Sequence, residues 1–215
     1  NHIKYGAAKE MLSNQWRYCI WLHNISPHLY SKNKFIMQRI QETKQFRESP
    51  DAGQSVKSKA NTPALFGDIR QPDTNYLMFP RVSSERRTYL PIAYFDPSVI
   101  LGDSAYGLPN ATLYEFGIIT SLMHNAWMRV VCGRIKSDYR YSASIVYNNF
   151  PFPQKTTAQQ KQNIESAAQA VLDARANFPE SSLADLYDPL LMPADLLKAH
   201  KALDKAVDAA YGQQK

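Results

Sequence analysis

The stretch NATLYEFGIITSLMHNAWMRVVCGRIKSDYRYS, residues 110–142, joins two different periodicities. Thr112 and Glu115 stand at the spacing of a capping box, in which two side chains reciprocally satisfy backbone N–H groups at a helix start. The residues that follow are apolar almost all round a helix, which predicts a buried element that the chain leaves at Gly133. From Gly133 to Ser142 the period becomes two, that of an extended strand. Lys136, Asp138, Arg140 and Ser142 then fall on one face, and Ser137, Tyr139 and Tyr141 on the other. The first face is a row of hydrogen-bonding groups of both signs, unsuited to a core. It fits an ordinary solvated strand face, and it fits a surface that reads something covered in donors and acceptors.

Before this stretch, residues 16–22 (WRYCIWL) predict a short buried strand. A helix follows, with Leu29, Phe35, Ile36, Ile40 and Phe46 spaced mostly for one face. Residues 48–62, rich in Ser, Asp, Gly, Lys and Asn, predict a mobile loop. Tyr76–Phe79 and Thr88–Phe95 predict two strands joined by a polar turn, and Val99–Leu101 a third; Pro80 and Pro91 suit strand ends. After it, SASIVYNNF predicts another strand, stopped by FPFP. Beyond Pro153 the composition turns to Ala, Gln, Leu, Asp and Lys. Thr157–Arg175 predicts an amphipathic helix with Ile164, Ala168, Val171 and Leu172 on one face. A short helix and a turn follow. Pro193 then suits a first helical position, and Leu196, His200, Leu203, Val207 and Ala210 trace a stripe closed by Gly212. The fold class expected is α+β: a mixed α/β domain over residues 1–154 followed by a small all-helical unit over 155–215. No internal repeat is visible.

Hydrophobic residues make up 44% of the 215, enough for a real core, and the thirteen tyrosines can pack while still donating a hydrogen bond. Net charge is +6, unevenly spread: residues 1–154 hold 18 Lys and Arg against 11 Asp and Glu, whereas 155–215 hold 7 against 8. An acidic partner therefore suits the first part. Cys19 and Cys132 both sit in apolar runs, the pattern of buried free thiols in a reducing compartment. No signal peptide or membrane-length apolar run is present. The chain opens at Asn in mid-pattern and is expected to be a piece of something longer.

Catalytic signatures are missing. The five histidines (2, 23, 28, 124 and 200) have no Cys or carboxylate at metal-ligand spacing, and His124 and His200 read as packed residues of helices. There is no Gly-rich phosphate loop and no nucleophile elbow. NNFPF, residues 148–152, has its proline after the aromatic and is read as an exit from a strand. Two constellations remain. In PRVSSERRTYLP, residues 80–91, Arg81, Arg86 and Arg87 bracket Ser83, Ser84 and Glu85, donors that match phosphate oxygens. A solvated hairpin tip with an internal Glu–Arg pair fits the same residues. In the row Lys136, Asp138, Arg140, the cations can donate to guanine O6 and N7 and the carboxylate can accept from cytosine N4. Mixed sign separates such a row from simple phosphate binding, since a carboxylate repels phosphate. A salt-bridged exposed strand fits it too.

These stretches carry a resemblance. PRVSSERRTYLPI, FGIITSLMHNAWMRVVCGRIKSDYRYSASIVYNNFPFP and SLADLYDPLLMPADLLKAHKALDKAVDAAYG together resemble the C-terminal part of MmeI-like DNA methyltransferases, in the family's order. RYCIWL…SP and FRES are similar to the start of that family's target-recognition domain. The resemblance covers nearly the whole chain. It implies a target-recognition domain over 1–154 and the family's helical C-terminal unit after it, in a bacterial, cytoplasmic restriction–modification protein that methylates adenine N6. It implies double-stranded DNA as partner, and a methyltransferase domain earlier in the same polypeptide that holds S-adenosylmethionine and the Asn-Pro-Pro-aromatic loop. This fragment is then not itself an enzyme and holds no cofactor. The base-contacting residues expected are Lys136, Asp138 and Arg140. The phosphate contacts expected are Arg81, Ser83, Ser84, Arg86, Arg87, Arg134, Tyr141 and Ser142. Two alternatives are a protein-interaction module that docks on an upstream domain or acidic partner, and a small complete enzyme.

Overall fold

The computed structural model describes residues 2–212. The chain begins with β1 (His2–Gly6), α1 (Ala8–Ser13), β2 (Arg17–Ile20), α2 (Lys34–Glu48) and α3 (Gln54–Lys57). Next come β3 (Tyr76–Pro80), β4 (Val82–Ser83), β5 (Ala93–Phe95), β6 (Ile100–Leu101) and β7 (Ala105–Pro109). Then follow α4 (Leu113–Thr120), α5 (Leu122–Val131), β8 (Gly133–Ile135) and β9 (Asp138–Arg140), and finally α6 (Ala158–Ala176), α7 (Leu183–Leu186) and α8 (Ala194–Tyr211). The fold is α+β. Two compact units form, one from residues 1–4 and 18–71, the other from 5–17 and 72–215. This division follows a different line from the change of composition at residue 154.

In the first unit the Asn33 side chain caps α2 by accepting from Ile36 N at 3.1 Å. Ile36, Ile40 and Arg47 turn inward, whereas Phe35 and Phe46, expected on the same buried face, turn out to solvent, as does Leu29. The segment 48–62 is not the expected loose loop. It contains α3, and the buried Arg47 guanidinium donates to the carbonyls of Lys59, Thr62 and Leu65 at 2.8, 2.9 and 2.8 Å. A fixed fork of N–H donors can gather three carbonyls that no backbone ladder serves. Strand β2 is also more exposed than its composition predicts, with Arg17 and Tyr18 both at the surface.

In the second unit the wholly buried β3 is flanked antiparallel by β5 and β7, with Leu77 opposite Tyr94 and Leu108. The expected strand over 88–95 shrinks to β5. Leu90 N is taken instead by Asn125 Oδ1 at 2.8 Å, and Pro91 brings no donor. β6 pairs in parallel with β1 through Tyr5↔Ile100 and Gly6↔Leu101.

The expected capping box is present, with Glu115 Oε2 accepting from Thr112 N at 2.8 Å. The long apolar helix is nevertheless two helices. Ser121, with φ −66° and ψ 158°, ends α4 and caps α5, and its hydroxyl donates to Ile118 O at 2.7 Å. SASIVYNNF is not a strand either. Ala143–Tyr147 forms one wide helical turn, held where the Asn149 amide donates to the carbonyls of Ser144 and Ile145. Short polar side chains offer the backbone such local alternatives to a ladder.

Capping boxes at Thr157/Gln160 and Ser182/Asp185 start α6 and α7. Pro193 is the cap of α8 rather than its first helical residue, and Gly212, φ 81°, closes that helix. The expected α8 stripe is buried throughout, as are Ile164, Ala168 and Val171 of α6. Gly117 lets α4 come close: a Cβ there would stand 2.7 Å from Ile164 Cγ2 and 3.2 Å from Leu203 Cδ1. One continuous core therefore runs from Leu77 of β3 through Phe116 of α4 to Ile164, Leu196 and Leu203 of the terminal helices.

Candidate nucleic-acid interface

Gly133–Ser142 is not one extended ribbon but a hairpin. β9 lies between β8 and β4 in a small antiparallel sheet, with Arg140 opposite both Gly133 and Val82, and Tyr139 opposite Arg134 and Ser83. Ile135 faces Asp138, so Lys136 and Ser137 form a two-residue loop, and Lys136 takes φ 55°. Tight hairpins need such left-handed residues because their twist matches that of the strands. The expected alternation survives within β9 and just beyond. Tyr139 and Tyr141 point inward, Arg140 outward, and Asp138 is half-buried on the outer side.

The inner side explains the alternation. The Tyr141 ring packs edge-on against Phe79 at 5.1 Å, and its hydroxyl lies 3.0 Å from His124 Nε2. His124 is fully buried, and burial pushes its imidazole down to about 4, so it is neutral at pH 7. Tyr139 carries the Arg134 guanidinium over its ring at 4.0 Å.

On the outer side the expected site residues divide. Lys136, Arg140 and Arg86 are exposed, and their side chains make no hydrogen bond or ion pair among the described residues. Asp138 Oδ1 accepts weakly from Glu85 N at 3.4 Å, which ties the 84–88 turn to the hairpin. Arg134 lies instead on the face of Tyr139, exposed at its edge, and is engaged locally: it donates to Ser137 O at 2.6 Å and stands 3.4 Å from Glu85 Oε2. Ser142 and Ser84 are half-buried, their hydroxyls bonded respectively to Ser144 Oγ and Arg86 N.

Four expected phosphate contacts are placed differently. Ser83 and Tyr141 are only 4% and 2% exposed, because the two-residue period that turns Arg140 outward turns them into the core. Arg87 is half-buried near Asp188 and Asp138, and burial lowers its pKa. Arg81 is half-buried over the Tyr106 ring at 4.6 Å.

Two further residues shape this surface: Arg129, which sequence reasoning missed, and Glu85, which it placed in an internal Glu–Arg pair of the turn. Arg129, in the last turn of α5, donates to the carbonyls of Arg87 and Thr88 at 3.0 and 2.8 Å and so holds the 84–88 turn. Glu85 bridges turn and hairpin through its backbone and its carboxylate. A cation closing a helix is the one signal that pointed to Arg129. The arrangement presents three free cations and a half-buried carboxylate on a rigid two-layer support.

A second polar cluster lies under α8. Arg175, 9% exposed, donates through Nη1 to Ile92 O at 2.7 Å and through Nε and Nη2 to Tyr187 Oη, which lies 2.8 Å from His200 Nε2. Burial first, and Arg175 second, push His200 down to about 3. Tyr89, stacked on His200 at 4.1 Å, donates to Asp204 Oδ2 at 2.7 Å, and Asp204 Oδ1 accepts from Leu122 N at 2.7 Å.

Residues 148–152 do not fit a methyl-donor cofactor. Phe150 is buried edge-on against His124 at 4.5 Å, and the Asn149 amide is committed to backbone carbonyls. Among the described residues, no three His, Cys, Asp or Glu side chains are grouped to hold a metal ion. No helix among them is long and apolar enough to cross a membrane.

The sequence model of the MmeI target recognition domain matches residues 3–154, and that of the MmeI C-terminal domain matches 156–215. DNA methyltransferase A of Bacillus subtilis (strain 168) is 38% identical over 212 residues, 98% of this chain and 24% of that protein. The solved structure of the type IIL restriction–modification enzyme MmeI in complex with DNA is 43% identical and superposes with a TM-score of 0.94, covering 100% of this chain and 28% of that one. The chain thus spans about a quarter of the length of each relative.

Proposed function

This chain belongs to the MmeI family, as its target recognition and C-terminal domains, and we propose that it is the sequence-recognition module for double-stranded DNA in a restriction–modification methyltransferase. The observation that carries the reading is the hairpin: Lys136 at its tip and Arg140 on its outer face stand unpaired above a buried layer of Tyr139 and Tyr141. A two-stranded ribbon fits the major groove, where Lys and Arg donate to guanine and a carboxylate accepts from cytosine. Lys136, Asp138 and Arg140 are the base readers in this reading. Arg86 and the exposed Arg134 face phosphates, while Arg129 and Glu85 set the turn.

The remaining labour falls outside these residues. S-adenosylmethionine binding and methyl transfer to adenine N6 belong to a preceding domain of the same bacterial, cytoplasmic polypeptide. Such an enzyme must take its adenine out of the stack at a cost of a few kcal/mol, and the recognition module selects which adenine is offered.

Binding of the 215-residue chain to duplex DNA across a salt series tests the reading. Arg86 and Arg134 neutralising two phosphates give a slope near −1.8 in log K against log salt, so affinity falls roughly 12-fold between 50 and 200 mM. Salt-independent binding, or none at 50 mM, overturns it.

A further inference from the structure

The first compact unit carries an apolar surface that includes none of the residues assigned above to DNA recognition. Eight of the fifteen large apolar side chains that stand exposed among the described residues belong to it, although it holds little more than a quarter of the chain. Leu29 is 69% exposed, Phe46 66%, Phe35 51% and Ile25 43%. Isolated exposed apolar residues are normal, but contiguous ones mark interaction sites. Three of these are contiguous. Ile25, Leu29 and Phe35 line a hollow of about 440 Å³, and Phe66 lines a second of about 270 Å³. Both hollows share Ile20, Leu22 and Ile36 in their walls, so they form one apolar trough beside α2.

Nucleic acid is a poor occupant. The unit holds nine Lys and Arg against four Asp and Glu, but most of its cations are engaged. Arg39 pairs with Glu42 at 2.9 Å, Lys59 and Arg70 with Asp68 at 2.9 and 3.8 Å, and Lys44 with Glu48 at 3.8 Å. Arg47 is buried on three carbonyls. The trough walls are mainly aliphatic and aromatic, and the two cations in them, Arg39 and Arg47, are the ones already held by Glu42 and by carbonyls.

A polypeptide partner fits better, and the relatives show where one would come from. About three quarters of each relative's length lies outside the matched part, and since residues 156–215 match a domain described as C-terminal, that length precedes it. Ile3 of β1 stands in the trough wall, so chain arriving from that direction reaches this surface first. We infer that the trough beside α2 is the docking surface for the preceding part of the same polypeptide, which seats apolar side chains against Ile25, Leu29 and Phe35. The inference rests on the proposed function for the existence of that preceding part.

Hydrogen exchange tests it without any substitution. Amides of residues 20–46 are compared between the complete polypeptide and the 215-residue chain, each with and without duplex DNA and at two protein concentrations. Protection at least tenfold greater in the complete polypeptide, DNA or not, is the expected result. Equal exchange in both overturns the proposal. So does protection that appears only with DNA, which makes the trough part of the nucleic-acid site, or protection of the short chain that rises with concentration, which makes it a contact between copies. Leu29→Asp with Phe35→Asp, both exposed and both in the trough wall, is expected to raise exchange in the complete polypeptide and to leave the salt slope of the 215-residue chain unchanged. Failure of that slope in the unaltered chain would strike the DNA reading alone.

Discussion

Replacing Tyr187 by Phe is expected to destabilise the chain far more than the loss of one hydroxyl usually does. Burial keeps the phenol protonated at neutral pH, so its oxygen has two lone pairs and one hydrogen to share. Arg175 Nε and Nη2 can only donate, which fills the lone pairs and sends the phenolic hydrogen to His200 Nε2. Phe preserves the ring but leaves two guanidinium N–H groups and one imidazole nitrogen without partners, and Ile92 O remains the only acceptor for Arg175 among the described residues. Hydrogen bonds to a charged group contribute about 1.5–3 kcal/mol each, and the partial exposure of Arg175 allows some rescue by water, so the loss comes to about 3 kcal/mol. For a chain of this size that lowers Tm by roughly 6–12 °C. Urea unfolding at pH 7 measures it, and a double-mutant cycle with Arg175→Met isolates the cause. In the Met background the same Tyr187→Phe change is expected to cost only about 1 kcal/mol, the His200 bond alone. A loss below 1 kcal/mol in the native background, or an equal loss in both, would refute the reasoning.

Arg86→Ala is expected to reduce the salt slope by about 0.9 and to weaken binding similarly on every DNA sequence, read by fluorescence anisotropy. Exchanging Lys136 and Asp138 is expected to change the preferred base pair at one position, with discrimination of about 1–3 kcal/mol, in a selection from randomised duplexes. A uniform change of affinity would remove the base-reading role. Stability is expected to fall as pH drops below the unfolded histidine value of about 6.5, because the unfolded chain takes up protons that His124 and His200 refuse until about 4 and 3. Each contributes a slope of about 1.4 kcal/mol per pH unit in that window. Urea midpoints at pH 7.5, 6 and 5 test this, and His124→Gln is expected to halve the slope.

The terminal helices were the most legible part of the chain. Leu196, His200, Leu203, Val207 and Ala210 sit on a helical period that packing had no reason to override. Strands β3, β5 and β6 were found, with β5 too long because Leu90 N is taken by an Asn125 side chain 35 residues away. Local side-chain competition defeated the reading at Ser121 and Asn149, where hydroxyl and amide groups redirect the backbone. Arg47 hid the order of residues 48–62, since a charged residue inside is invisible to apolar periodicity. At the interface the alternation of inner tyrosines and outer charges was legible from Asp138 onward. The turn was not, because Lys136 gives no warning of a left-handed residue; glycine or asparagine would have. The burial of Tyr141 followed from the period itself, and the functional reading had set it aside; that of Ser83 did not, because residues 80–91 read as a turn and its pairing with Tyr139 in β4 is not local.

The hairpin's two-residue loop also restricts how such a surface can diversify. Because β4 and the core hold β9 in place, lengthening or shortening the loop by one residue slips the exposed β8 instead and breaks its pairings of Arg134 with Tyr139 and Ile135 with Asp138. Length is therefore frozen while content is free. On the proposed reading, new target preferences arise by replacing outward side chains one at a time, over a scaffold that need not be rebuilt.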